Sequence, residues 1–248
     1  MNIESIYCEY LKEINLKRER DKNVFHASSA GSCYRKQLYS YFDFPKEELD
    51  KKSLKVLRLG TVVHKDVEEA ITKYQDANPD NDIYIEEKVK IPELNVTGTF
   101  DYGEFKTSRE GKSTFNLYDL KTAAAYKWST MFGNKENRKI NSANNYKLQL
   151  ATYALAVKER FDPDYLAMYL VFYNKNTSMM RERLVMNPWM DKALEYWVDL
   201  NTWLDDVGEK YFEEELIPEL TEGVPFENWE CGYCSYSEIC PSQIKKRK

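Results

Sequence analysis

Asp119 and Lys121 stand two residues apart in a run, residues 115–121, whose pattern predicts a β-strand. Side chains alternate across a strand, so both project from one face. A carboxylate and an ammonium held side by side at a sheet edge suit phosphodiester hydrolysis. The carboxylate binds a divalent metal ion; the lysine orients the attacking water and stabilises charge on the phosphate. Taken alone, Asp119-Leu120-Lys121 is the pattern of a surface ion pair, so the weight falls on what accompanies it.

Gly98-Thr99-Phe100-Asp101 ends the preceding run of strand-like pattern. A glycine three residues before an aspartate points to a close backbone approach, and Asp101 offers a second carboxylate on the neighbouring strand. Read singly, Asp101 is a structural turn residue. His64, one of two histidines, lies upstream in Gly60-Thr61-Val62-Val63-His64, where a lone helical histidine reads as structural. Gln149 and Tyr153 are four apart on a helical stretch and share a face, placed to hold a phosphate or to order Lys121, or else to face the core.

In order, these residues spell G-x-x-x-H (Gly60, His64), G-x-x-D (Gly98, Asp101), D-x-K-T (Asp119, Lys121, Thr122) and Q-x-x-x-Y (Gln149, Tyr153). The set resembles the RecB-like branch of the PD-(D/E)XK nucleases. That resemblance implies His64, Asp101 and Asp119 as ligands for Mg²⁺ or Mn²⁺, together with the Leu120 carbonyl. It makes Lys121 the catalytic lysine, and Gln149 and Tyr153 the pair that positions substrate.

Five cysteines are present: Cys8, Cys33, Cys231, Cys234 and Cys240. An odd number, three of them within ten residues, suggests a metal site rather than a disulfide framework. Thiolates suit zinc or an iron–sulfur cluster, and a zinc ribbon would normally bring a second close pair. One distant N-terminal cysteine with a C-terminal trio resembles the iron–sulfur nucleases of the same branch, among them the CRISPR-associated Cas-four exonucleases and the AddB-type nuclease domain. The resemblance implies a 4Fe–4S cluster on Cys33, Cys231, Cys234 and Cys240, and leaves Cys8 as a small buried or free thiol. Asp119 stands where many CRISPR-associated members carry Glu, which brings the chain nearer to recombination and phage-type relatives.

The elements that must position these residues follow from periodicity. Helical patterns cover the first ~20 residues, the stretch after the Ser28–Cys33 loop through Tyr41, residues 53–74, residues 143–160, and a long run opened by Asn187-Pro188 and reaching about residue 215. Strand-like alternation covers residues 83–91, 96–102 and 115–121, which read as an antiparallel meander, then 166–173 and 181–186. The expected fold is α/β (α+β): a mixed central sheet flanked by helices, with the restriction-endonuclease-like core that the resemblance implies. Three regions are expected: residues 1–52 helical and contributing one cluster cysteine, 53–215 the nuclease core, and 216–248 the cysteine-rich cluster-binding tail.

Composition narrows the class. The 248 residues are 42% hydrophobic and 31% charged, ordinary for a globular chain. A net charge of −5 argues against a general nucleic-acid coat, though not against local grip on DNA in one channel. Basic residues interleaved with aromatics suit single strands; Arg35 and Tyr39, and Tyr126, Lys127 and Trp128 after the catalytic strand, are the candidates. No apolar run approaches a membrane span, and Met1–Ser5 lacks a signal-peptide layout. The expectation is a soluble, cytoplasmic, metal-dependent DNA exonuclease, with phage encoding and action in a host cytoplasm left open, acting on single strands or duplex ends in recombination, repair, phage replication or CRISPR adaptation. The rival readings are a non-catalytic DNA-binding or assembly subunit with the same fold, and a zinc-stabilised interaction protein. Homo-oligomerisation or a recombination or adaptation partner protein stays open.

Overall fold

The structure is a computed structural model that describes residues 1–17, 21–139, 141–207 and 228–240. Its elements run α1 (Ile3–Leu16), β1 (Phe25–His26), α2 (Tyr34–Tyr41), α3 (Lys51–Ala77), β2 (Asp82–Ile91), β3 (Val96–Thr107), β4 (Ser113–Ala123), α4 (Ala125–Phe132), α5 (Asn144–Phe161), β5 (Tyr165–Asn174), β6 (Met180–Val185) and α6 (Pro188–Val207). The mixed sheet flanked by helices is as expected. The strands β2, β3 and β4 form an antiparallel meander, β4 pairs parallel with β5, and β6 returns antiparallel to β5. Two elements escaped the pattern reading. The strand β1 is two residues long and pairs parallel with the start of β3; α4 lacks a side-chain cap that would announce it. The expected extension of the last helix to residue 215, and the start of the expected tail, lie outside the described residues.

One face of the sheet carries the main core. Phe115, Leu117, Met168, Leu170 and Phe172 pack there against Leu150, Ala151, Ala154 and Val157 of α5, and Ala193, Trp197 and Leu200 of α6 close over them. Trp197 buries its indole and satisfies its N–H by donating to Thr152 Oγ1 at 2.8 Å. The helix α3 crosses the other face, started by Asp50, whose side chain accepts from Ser53 N at 2.6 Å. Cys8 is buried in α1, as a small apolar side chain would be.

The strands β3 and β4 part midway. They pair from Tyr102↔Tyr118 to Thr107↔Ser113 and no further, while β4 continues along β5 through Ala123. Beside the fork the alternation slips. Phe100 turns toward Phe115, and a Cβ added at Gly103 would meet the same ring, so the faces of β3 shift by one residue at Asp101. The neighbouring strand β2 does the same at Glu86, whose φ of 48° is left-handed. This shared kink turns Glu86 and Asp101 out of the ladder together, into the opening of the fork.

Candidate active site

The fork is where helices from both faces reach the same point. Gly60 lets α3 approach β4 closely: a Cβ there would lie 3.3 Å from Thr122 Oγ1. One turn later His64 faces the gap. On the other side Gly98 lets α5 in, since a Cβ would sit 2.7 Å from the Tyr153 ring and 2.9 Å from the Ala27 Cβ. The close approach expected at that glycine is therefore made by an aromatic side chain. A cleft of about 760 Å³ results, lined by His64, Glu68, Glu86, Asp101, Lys121, Gln149 and Tyr153 among others.

Asp101 ties the fork together, its Oδ2 accepting from Leu120 N at 2.6 Å. Asp119 and Lys121 share a face of β4, but the pair is buried rather than superficial. Lys121 Nζ donates to Asp119 Oδ1 at 2.8 Å and lies 2.7 Å from Oδ2, which accepts no hydrogen bond. Gln149 Nε2 donates to Asp119 Oδ1 at 3.3 Å and lies 3.1 Å from the Tyr153 hydroxyl oxygen. The Lys121 ammonium also stands 5.6 Å from the centre of the Tyr146 ring. His64, Asp101, Asp119, Lys121, Gln149 and Tyr153 thus meet in one place, and the Leu120 carbonyl faces the His64 ring.

Sequence reasoning missed Glu86. His64, Glu86 and Asp101 each present a ligand atom, all within 4.8 Å of one another, close enough to share one divalent ion. Asp119 instead turns to Lys121 and Gln149, its Oδ2 in the ion pair with Lys121 but accepting no hydrogen bond. The available signal for Glu86 was a pair of adjacent glutamates, Glu86-Glu87, inside an alternating strand; the kink that aims the first of them was not visible.

Burial dominates the electrostatics. It pushes the Asp119 carboxyl up to about 6 despite Lys121, and raises Asp101, with Lys121 and the Leu120 N–H opposing. Burial, followed by Asp101, Glu68 and Asp119, pushes Glu86 up to about 7. Burial and Lys121 together hold His64 below its ordinary range, so a neutral imidazole with a free lone pair faces the cleft. For Lys121 burial favours the neutral amine, but Asp119 and Asp101 outweigh it and keep the ammonium. Several carboxylates crowding around one cation is a donor set that lacks positive charge.

A pH dependence follows. A carboxyl whose folded pKa is raised takes up its proton more readily in the folded chain. Its contribution to stability is complete below the unfolded value near 4 and is lost as pH rises through the folded one. Asp119 alone removes about 1 kcal/mol between pH 5 and 7, and Glu86 acts in the same direction. His64, held neutral, opposes them below its unfolded value near 6.5. In EDTA the melting temperature is expected to fall by about 3 °C or more from pH 5 to 8, and saturating Mg²⁺ or Mn²⁺ to abolish the fall. A metal-free melting temperature that is flat or rises over that range would contradict the assignment of these groups.

The remaining candidates separate into two groups. Tyr39 is buried, its ring 5.4 Å from that of Tyr236 and 5.3 Å from that of Phe44. Arg35 Nη1 lies 3.9 Å from Cys240 Sγ. Both belong to the cysteine neighbourhood, where Cys33, Cys234 and Cys240 all act on the Tyr39 hydroxyl and Cys231 on the Cys33 thiol. Burial pushes the Cys33 thiol up to about 11, although the Arg35 and Lys36 N–H groups at the start of α2 oppose it. The segment 228–240 is anchored there independently: Glu47 N donates to the Ser235 carbonyl at 2.8 Å and Ser237 Oγ to Glu47 Oε1 at 2.7 Å. Tyr126, Lys127 and Trp128 lie instead on α4, beside the cleft. Tyr126 is 72% exposed, the Lys127 ammonium stands 5.1 Å from the Tyr146 ring centre, and Trp128 packs on Phe132 at 4.7 Å.

Among the described residues no helix is long and apolar enough to cross a membrane. Residues 65–241 match the family model described as the PD-(D/E)XK nuclease superfamily. The crystal structure of SSO0001 is similar at 17% identity and a TM-score of 0.53, with 99% of this chain and 98% of that chain covered. An alkaline exonuclease from Laribacter hongkongensis aligns at 10% identity and a TM-score of 0.47, over 84% of this chain and 97% of that one. No curated protein matches the sequence.

Proposed function

The chain belongs to the PD-(D/E)XK nuclease superfamily, and from that premise we propose that it is a divalent-metal-dependent DNA exonuclease acting on single strands or duplex ends. The observation that carries this reading is the meeting of His64, Glu86, Asp101, Asp119 and Lys121 at one fork of the sheet. The donor set fits Mg²⁺ or Mn²⁺: three carboxylates, a neutral imidazole and a backbone carbonyl, the carboxylates outnumbering the one buried ammonium. His64, Glu86, Asp101 and Asp119, with the Leu120 carbonyl, would hold the ion. When bound, such an ion supplies Lewis acidity toward a phosphoryl oxygen and makes water a better nucleophile at neutral pH.

The chain's own residues do the rest. Lys121, fixed by Asp119, places a permanent positive charge where negative charge builds on the phosphate and gives the attacking water a donor to orient against. Gln149 keeps the Asp119 carboxylate aimed, and Tyr153 in turn holds Gln149 from beneath Gly98. The cleft supplies room for a strand between α3 and α5.

We also infer that Cys33, Cys231, Cys234 and Cys240 hold a 4Fe–4S cluster. The four thiols surround one neighbourhood at the start of α2.

The test is cleavage of end-labelled linear and of circular single-stranded DNA with Mg²⁺ or Mn²⁺. Linear strands are expected to shorten from an end, circles to survive, and EDTA to stop the reaction. Cleaved circles would replace the exonuclease reading with an endonuclease. Stoichiometric binding with no turnover under either ion would overturn the catalytic reading in favour of a DNA-binding subunit.

A further inference from the structure

Beyond the cleft, four cations gather on the α5 side of the sheet. Arg181 and Arg183 are two apart on β6 and share a face. Their register partners on β5, Phe172 and Leu170, are buried in the core beneath α5, which identifies that face. Lys147 lies in the first turn of α5, and Lys192 near the start of α6. The two ammonium groups stand 4.6 and 4.7 Å from the centre of the same indole, that of Trp189. The Arg181 guanidinium stands 5.7 Å from Trp128 and 5.5 Å from Phe132.

Among the described residues none of these four cations carries an ion pair; Lys147 donates to the neutral Asn144 Oδ1 at 3.0 Å. Asp191 shares the first turn of α6 without pairing to either lysine. Two ammoniums on one ring repel each other. Burial, then Arg183 and Lys192, push Lys147 below the ordinary lysine range. The helices α5 and α6 both begin here, adding the partial positive charge of their unpaired N–H groups. In a chain of net charge −5 this local excess awaits an anion. The patch is also continuous with the cleft. Tyr146, the neighbour of Lys147, carries both Lys121 and Lys127 over its ring.

We propose that this surface is a track for the phosphate backbone of single-stranded DNA, running from the catalytic cleft across the starts of α5 and α6 to β6. The choice of polyanion rests on the nuclease reading. The spacing of cations and indoles is the pattern by which a single strand is held without regard to sequence: charge on the phosphates, rings beside the bases. It extends the grip on a strand beyond the cleft that holds the scissile phosphate.

The experiment measures binding of a fluorescein-labelled 30-nucleotide mixed-sequence single strand in EDTA, as a function of salt. Each phosphate contact contributes about 0.7 to the slope of log affinity against log salt, which at 0.1 M is about a five-fold change in affinity. Lys192→Gln and Arg183→Gln are exposed, conservative changes. Each is expected to weaken binding about five-fold, and the double variant about 25-fold with a slope reduced by about 1.4. Affinity and slope equal to those of the parent protein in a double variant with unchanged melting temperature would overturn the track. So would a parent protein that fails to bind the strand. The two readings fail separately. Reduced slopes with no cleavage under Mg²⁺ or Mn²⁺ would leave the track and remove the nuclease, whereas cleavage with unaltered slopes would do the reverse.

Discussion

Replacing Lys121 with methionine is expected to lower the single-turnover rate of DNA cleavage about a thousand-fold, with Mn²⁺ binding retained. Methionine keeps the apolar stem and removes the ammonium, so the loss reports on charge and not on packing. Two consequences should accompany the rate. Asp119 is fully buried, and Lys121 is the cation that restrains the upward push of burial on its carboxyl. Without that restraint its pKa rises above 6, protons compete harder with the metal ion, and the residual activity shifts to more alkaline pH. Removing one partner of a buried pair also costs stability, about 3 kcal/mol. Protonation of Asp119 relieves part of that cost, so the melting temperature of the variant should depend more steeply on pH than that of the parent. A merely structural lysine would change melting without moving the pH profile of cleavage. A variant that keeps more than a tenth of the rate would remove Lys121 from the chemistry.

The parts of this site that were legible in the sequence are those encoded by spacing along one element. Asp119 and Lys121 share a face because a strand alternates, and Gln149 and Tyr153 because a helix repeats every 3.6 residues. One glycine was legible too: Gly98 marked a close approach, made by the Tyr153 ring, whereas the room that Gly60 leaves for Thr122 was not read. What was not legible depends on how strands deviate from regularity. Glu86 reaches His64 and Asp101 because β2 and β3 kink together, and the residue that kinks is not a glycine. The same limit applies to Tyr39. Its position beside Arg35 reads as a base-stacking surface, yet it is buried against Tyr236, almost two hundred residues away. The basic track joins Lys147 of α5 to Arg181 and Arg183 of β6 and Lys192 of α6, three elements of different periodicity, so the pattern of no one element contains it. Periodicity predicts faces; only the packing of those faces says which meet.

The four cysteines pose the same problem over a longer span, and they carry the second large effect. Cys234→Ser is expected to remove the brown colour and the iron of anaerobically purified protein together, and to lower the melting temperature by about 10–20 °C. The magnitude follows from chain entropy. Linking Cys33 to Cys231 closes a loop of nearly two hundred residues, which constrains the unfolded chain by about 5 kcal/mol. A chain of this size shifts by about 2–4 °C per kcal/mol. The contacts of Glu47 with Ser235 and Ser237, and of Tyr39 with Tyr236, remain to hold the segment once the cluster is gone. The loss should therefore appear as lowered stability rather than as an unfolded chain. Cleavage offers the discriminating readout. The cysteine neighbourhood lies at the start of α2, and none of its residues lines the cleft. At a temperature well below melting, the variant should then retain Mn²⁺-dependent cleavage at a rate within a few fold of the parent. Loss of cleavage in a variant still folded at the assay temperature would mean that the thiols act on the catalytic centre and do not merely fasten the chain. Zinc without iron in the parent protein would replace the cluster with a single ion, and the expected change of colour would vanish with it.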